Sequence, residues 1–310
     1  MSDRVELNLR YRERAGFAVA DDGTHLYWRA AGPTHGSEGT LVCCNGVGVS
    51  LFFWKYVVAH FADRFDVLLW DYRGHGRSDR PPVPADADLG IPRHTADLAA
   101  VLAAAEVESA VLLGHSMGCQ VIFEFHRRFP ERVRGLVPML GTAGRTLETF
   151  YDNPSSPAHF RLISRVVDAL GDRAHLIARP LLESPFAWWF ARTAWLVDPD
   201  YTRREDMLPY MRHLASIDLR CFLRTLLSAN DHDAWDTLPD IRVPTLVIAA
   251  ERDTFTPTWL SRRMAAMIPE CDFLMLADAS HAAIIEQPET ILARIDRFLT
   301  ERRPFASDPA

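Results

Sequence analysis

Short apolar runs alternate with helix-period stretches along most of the chain. Residues 16–20, 25–31, 40–45, 66–71, 110–114 and 133–140 (GFAVA, HLYWRAA, TLVCCN, DVLLWD, AVLLG and VRGLVPML) predict strands in the first half. Between them, residues 95–105 (TADLAAVLAAA) are rich in strong helix formers and predict a helix. The alternation returns late, with strands over 244–250 and 272–276 and helices over 256–268 and 288–300. A parallel neighbour needs a crossover connection, usually a helix, so strands separated by helices predict an α/β fold. The expectation is a mostly parallel, eight-stranded sheet flanked by helices.

From about residue 146 to 235 the pattern changes. Strand signals vanish and apolar positions recur at helical spacing, as in Ile163, Val166, Val167 and Leu170. Ser184-Pro185 reads as an N-cap and first-turn proline for a helix running through FAWWFARTAWLV. The expected organisation is a core of residues 1–145 and 236–310 with an all-helical cap of residues 146–235 inserted in it.

Composition changes this picture little. The 310 residues are 48% hydrophobic and 24% charged, enough for a sizeable core. The formal charge of −7 and the lack of a basic stripe disfavour a nucleic-acid partner. The five cysteines, two of them adjacent in an apolar run, form no C-x-x-C pair and read as reduced, buried thiols. A charged N-terminal stretch without an apolar segment predicts no signal peptide, and no run is long enough to span a bilayer. A cytoplasmic protein is expected, with no stable membrane insertion and no assignable oligomeric state.

The sharpest chemical signal is Gly114-His115-Ser116-Met117-Gly118, placed between an apolar run and a helix with Met117, Val121, Phe125 and Phe129 on one face. This is G-x-S-x-G in a strand–turn–helix setting, which lifts a serine to the positive end of a helix. A serine hydroxyl needs a base and the base an orienting acid. Downstream, Asp253 follows one late strand and His281 follows the next, where parallel sheets put their ligands. His281 is the only one of 12 histidines so placed. Glu251 and Asp278 are sequence neighbours that compete with Asp253 for the acid's place. The loop Asn45-Gly46-Val47-Gly48, also at a strand end, suits either a phosphate or an oxyanion. It lacks the third glycine of a dinucleotide fingerprint and any following Gly-Lys-Ser/Thr, so the phosphate reading is the poorer one.

These residues, from Gly16 to Phe298, resemble the α/β-hydrolase fold superfamily, and DYRGHGRSDRP (residues 71–81) is similar to a segment that follows strand four there. The resemblance implies that Asp71, Arg73 and Ser78 are architectural. It implies that backbone N–H groups of Val47 and Met117 form an oxyanion hole. The superfamily's usual histidine is Asn45 here; this side chain and the cap residues Trp188 and Trp195 are candidate substrate contacts, whereas Phe186, Trp189, Phe190 and Thr193 share a face assigned to the cap's own core.

The implied activity is that of a serine hydrolase with a Ser116, Asp253 and His281 triad, needing no metal or organic cofactor and acting on a small apolar ester. Hydrolysis of a carbon–carbon bond, a lactone or a thioester would use the same groups, and a non-catalytic ligand-binding protein is the alternative outside enzymes.

Overall fold

The computed structural model describes residues 11–82, 87–193, 197–198, 200 and 202–306, without the side chain of Pro185. Eight strands form one sheet: β1 (Arg12–Val19), β2 (His25–Gly32), β3 (Thr40–Cys44), β4 (Asp66–Trp70), β5 (Ala110–His115), β6 (Val133–Met139), β7 (Thr245–Ala250) and β8 (Cys271–Leu276). Their order is β1-β2-β4-β3-β5-β6-β7-β8. The pairs β1/β2 and β2/β4 are antiparallel and all others are parallel. The mostly parallel eight-stranded sheet expected from the sequence is therefore present. β1 begins at Arg12, four residues earlier than its apolar pattern, because this edge strand is polar and exposed at its start.

Period-two alternation assigns the sheet's two faces. Leu41, Cys43, Val67 and Leu69 point into one buried cluster with helices α1 (Lys55–Phe61), α10 (Ala283–Glu286) and α11 (Pro288–Arg302). Val42, Cys44, Leu68 and Leu112 point into the other, with α2 (Ile91–Ala104), α3 (Met117–Arg128) and α9 (Thr258–Met267). Fully buried side chains such as Phe125 and Phe298 contribute about 1.5–3 kcal/mol each. Four cysteines are buried and Cys271 is partly so, all as free thiols.

Between β6 and β7 come α4 (Ser156–Leu170), α5 (Asp172–Leu182), α6 (Pro185–Thr193), α7 (Arg204–Ser216) and α8 (Leu219–Asn230). Two buried carboxylates tie this stretch to the sheet-bearing part. Asp206 on α7 accepts from Lys55 Nζ and, at 3.0 Å, from Tyr56 Oη. Glu286 accepts from Asp198 N at 2.8 Å and Thr202 Oγ1 at 2.7 Å. Among the described residues, no helix is long and apolar enough to cross a membrane.

β3 pairs with β4 on one side and β5 on the other. The chain therefore reverses its direction of winding at β3, and the carboxyl ends of β3 and β5 open a crevice there.

Candidate functional site

The carboxyl ends of β3 and β5 bring the Asn45–Gly48 loop beside Ser116. Cys44 on β3 pairs with Gly114 on β5, so the residues that follow emerge next to each other. The turn at Ser116 is too tight for side chains around it. A Cβ on Gly114 would come within 2.6 Å of the Gly118 carbonyl oxygen, and one on Gly118 would run into the carbonyl of Cys44. Ser116 itself has φ 54° and ψ −120°, a region L residues avoid, at a cost of about 1–3 kcal/mol. Its N–H is held by the Met139 carbonyl at 3.0 Å, and Met117 starts helix α3. The strained turn thus lifts the Ser116 hydroxyl off the sheet and onto the helix's positive end.

Three residues distant in sequence meet here. His281 Nε2 lies 3.0 Å from Ser116 Oγ, and its Nδ1 lies 2.9 Å from Asp253 Oδ2. With Asp253 accepting the Nδ1 proton, Nε2 is left as the acceptor for the serine hydroxyl. Asp253 is buried and further held by Phe255 N and Thr256 N at 2.9 Å and by Thr256 Oγ1 at 2.7 Å. The competing carboxylates are engaged elsewhere: Glu251 accepts from Asp278 N at 3.3 Å, and Asp278 pairs with Arg252.

Two supporting residues were not legible in the sequence pattern. His115, the variable residue before the serine, donates from Nε2 to the His281 carbonyl at 3.0 Å, and burial pushes its pKa down to about 3. It is a neutral prop under the His281 loop. Glu286 accepts from Ser280 N at 2.8 Å and Ser280 Oγ at 2.6 Å, fixing the residue just before His281. The local signal for Asp253 was readable: an aspartate followed three residues later by threonine forms a side-chain-to-backbone turn.

Val47 lines the cavity beside Ser116 and His281. Among the described residues its N–H meets no acceptor, and the N–H of Met117 is one of the unsatisfied donors at the start of α3. Asp71, Arg73 and Ser78 are buried within their own loop. Arg73 forks onto Asp97 with two 2.7 Å bonds, and Ser78 Oγ donates to the Asp71 carbonyl at 2.6 Å.

The remaining candidates need correction. Asn45 is fully buried and faces away from the cavity: Nδ2 donates to the Trp70 carbonyl at 2.8 Å, and Oδ1 accepts from Trp54 Nε1 at 2.7 Å. Both ends of its amide are used in joining the loop to neighbouring elements, so it is no substrate contact. Trp188 is partly buried against the cluster that holds Leu41 and Val67 and is not among the residues lining the cavity. Trp195 lies outside the described residues. The face assigned to the cap's core is divided: Phe186 and Phe190 line the cavity and are also half exposed.

The cavity above Ser116 has a volume of about 640 Å³. Its walls come from the Val47 loop, from Phe150 and Phe160, from α5 to α8, and from Phe255 beside His281. Among the described residues, none that lines it is Lys, Arg, Asp or Glu. An apolar chamber with a few convergent polar groups is the usual form of a small-molecule site.

A family model described as alpha/beta hydrolase fold matches residues 39–288. The chain belongs to the α/β-hydrolase fold family. It is 30% identical over 255 residues to RutD of Azorhizobium caulinodans, a protein named for carbamate hydrolysis, covering 82% of this chain and 89% of that one. A hydrolase from Pseudomonas aeruginosa superposes with a TM-score of 0.74 at 25% identity, covering 92% of this chain and 98% of the other. The enol-lactonase of Burkholderia xenovorans has a TM-score of 0.73 at 24% identity, covering 92% and 100% of the two chains. The family, RutD and the Pseudomonas hydrolase support a hydrolase acting on a small molecule, and the lactonase shares the fold.

Proposed function

We propose that this hydrolase cleaves uncharged carboxylic esters with apolar acyl or aromatic groups through an acyl-enzyme on Ser116. The observation that carries this reading is the continuous relay Ser116 Oγ, His281 Nε2, His281 Nδ1, Asp253 Oδ2, with spacings of 3.0 and 2.9 Å, at the floor of an apolar cavity. Helices α4–α8 act as the cap that closes this cavity over the sheet.

Ser116 Oγ attacks the ester carbonyl carbon while His281 Nε2 takes its proton. Charge moves to the carbonyl oxygen, which the N–H groups of Val47 and Met117 receive; one such donor is typically worth about 2.7–4 kcal/mol. The bond to the alcohol breaks as His281 returns the proton to the leaving oxygen. Water, deprotonated by the same imidazole, then attacks the acyl-enzyme and releases the acid and Ser116. Asp253 stays ionised and steadies the imidazolium.

The likeness to RutD favours a second reading, hydrolysis of a carbamate by the same attack. The cavity's hydrophobic walls suit a small polar carbamate less well than an apolar ester.

The test is turnover of p-nitrophenyl esters from acetate to palmitate and of a p-nitrophenyl carbamate, with a Ser116→Ala control. A chain-length optimum that vanishes in the variant supports the reading. Turnover equal in both proteins, or none with any ester, contradicts it.

A further inference from the structure

We infer that Tyr210 sets substrate class: its hydroxyl donates a hydrogen bond to an uncharged oxygen acceptor carried by the substrate away from the scissile carbonyl. The inference rests on the proposed attack by Ser116 and names a feature of the molecule attacked.

Helix α7 presents Met207, Tyr210, Met211 and Leu214 to the cavity, at the i, i+3, i+4 and i+7 spacing of one helical face. Among the described residues, four on the cavity wall bear polar side chains: His115, Ser116, Tyr210 and His281. Three of them are already committed to one another, through the Ser116–His281 contact and the bond from His115 to the His281 carbonyl. The Tyr210 hydroxyl alone of the four side chains makes no hydrogen bond to another described residue. Its ring packs against the cluster that holds Leu41 and Val67, and burial pushes its pKa up to about 12. The group is a neutral O–H with a proton to give.

A hydroxyl that donates to no protein group keeps its proton for a ligand, and phenylalanine would fill the same space without it. A substrate oxygen that accepts this hydrogen bond takes the place of water. Among the described lining residues there is no Lys or Arg, which favours an uncharged acceptor such as an ether or ketone oxygen, because a carboxylate would lack a counter-charge there. The hydroxyl is also held in place, since Asp206, one turn earlier on α7, is clamped by Lys55 and Tyr56.

The experiment compares p-nitrophenyl octanoate with isosteres in which an ether oxygen replaces one methylene, moved position by position along the chain. For each, the ratio of kcat/KM for the ether to that for the all-carbon ester is measured in the native protein and in Tyr210→Phe. At one or two adjacent positions the ratio should fall roughly five- to tenfold on substitution, with KM carrying the change. A ratio unchanged within about twofold at every position overturns the inference. If the native protein hydrolyses none of the series, the esterase reading fails, and the inference is decided by calorimetric binding of the same compounds to Ser116→Ala and Ser116→Ala/Tyr210→Phe. Equal affinities in those two proteins, or no binding to either, overturn it.

Discussion

Gly46 and Ser116 pack so closely that a Cβ on Gly46 would stand 3.0 Å from the Cβ of Ser116. It would also meet His115 Nδ1 at 3.0 Å. The contact explains why the residue before Val47 is a glycine although its backbone does not require one. Gly46→Ala must shift the loop by a few tenths of an ångström, and with it the Val47 N–H. The expected outcome is a fall in kcat on the order of 10- to 100-fold with a melting temperature nearly unchanged, since one displaced oxyanion donor is a partial loss of what such groups supply. Steady-state kinetics on the alanine variant check it, and an unchanged kcat contradicts the role given to Val47.

The Asp206 clamp makes a prediction about binding. Asp206→Asn removes the charge that holds Lys55 and weakens the hold on α7, whose next turns carry Met207, Tyr210 and Met211 to the cavity. Lys55 is about a third exposed, so solvent screening limits the stability loss to roughly 1 kcal/mol. Melting should drop by about 2–4 °C. KM for an apolar ester should rise several-fold with kcat within about twofold. The opposite split, with kcat lost and KM kept, would mean that α7 governs the chemistry and not the fit.

Three buried histidines and the partly buried His213 predict an acid-sensitive fold. Burial lowers His75 to about 4 and His94, His115 and His213 to about 3, against an ordinary 6.5. Below pH 6.5 the unfolded chain takes up protons that the native interior refuses. Stability is therefore complete above about 6.5 and declines as pH falls towards the native values, with a limiting slope of about 1.4 kcal/mol per pH unit for each histidine. Urea unfolding at pH 7.5 and 5.5 should show a clear drop in midpoint, and His213→Leu should make that drop smaller. Identical midpoints would contradict native burial of neutral imidazoles.

Much of this was readable in the chain because the signals are local. Each apolar run became a strand, and the strand–GHSMG–helix sequence became the raised turn at Ser116, since both depend on near neighbours. His281 and Asp253 meet Ser116 because residues that follow parallel strands converge at the carboxyl edge of the sheet. What failed were questions of which side an element faces. Helical spacing places Phe186 and Phe190 together, but it does not distinguish a face on a cavity from a face on a core, as both are apolar. Trp188, on another side of α6, went to the core. Asn45 misled for a different reason: the partners of its amide, Trp54 and Trp70, lie 9 and 25 residues away and leave no local pattern. Helix α2 starts at Ile91, before its alanine-rich stretch, since Pro92 is well suited to a first turn.

The most direct test of Ser116 as nucleophile is covalent labelling with diethyl p-nitrophenyl phosphate. Attack of Ser116 Oγ on phosphorus expels p-nitrophenolate and leaves a diethylphosphoryl serine, with the serine proton passing to His281. Intact-mass and peptide spectra should show one adduct per chain, on the peptide containing Ser116, in step with loss of ester hydrolysis. Ser116→Ala should take up none. Esterase activity that survives complete labelling of Ser116, or inactivation with the adduct on another residue, would contradict the account.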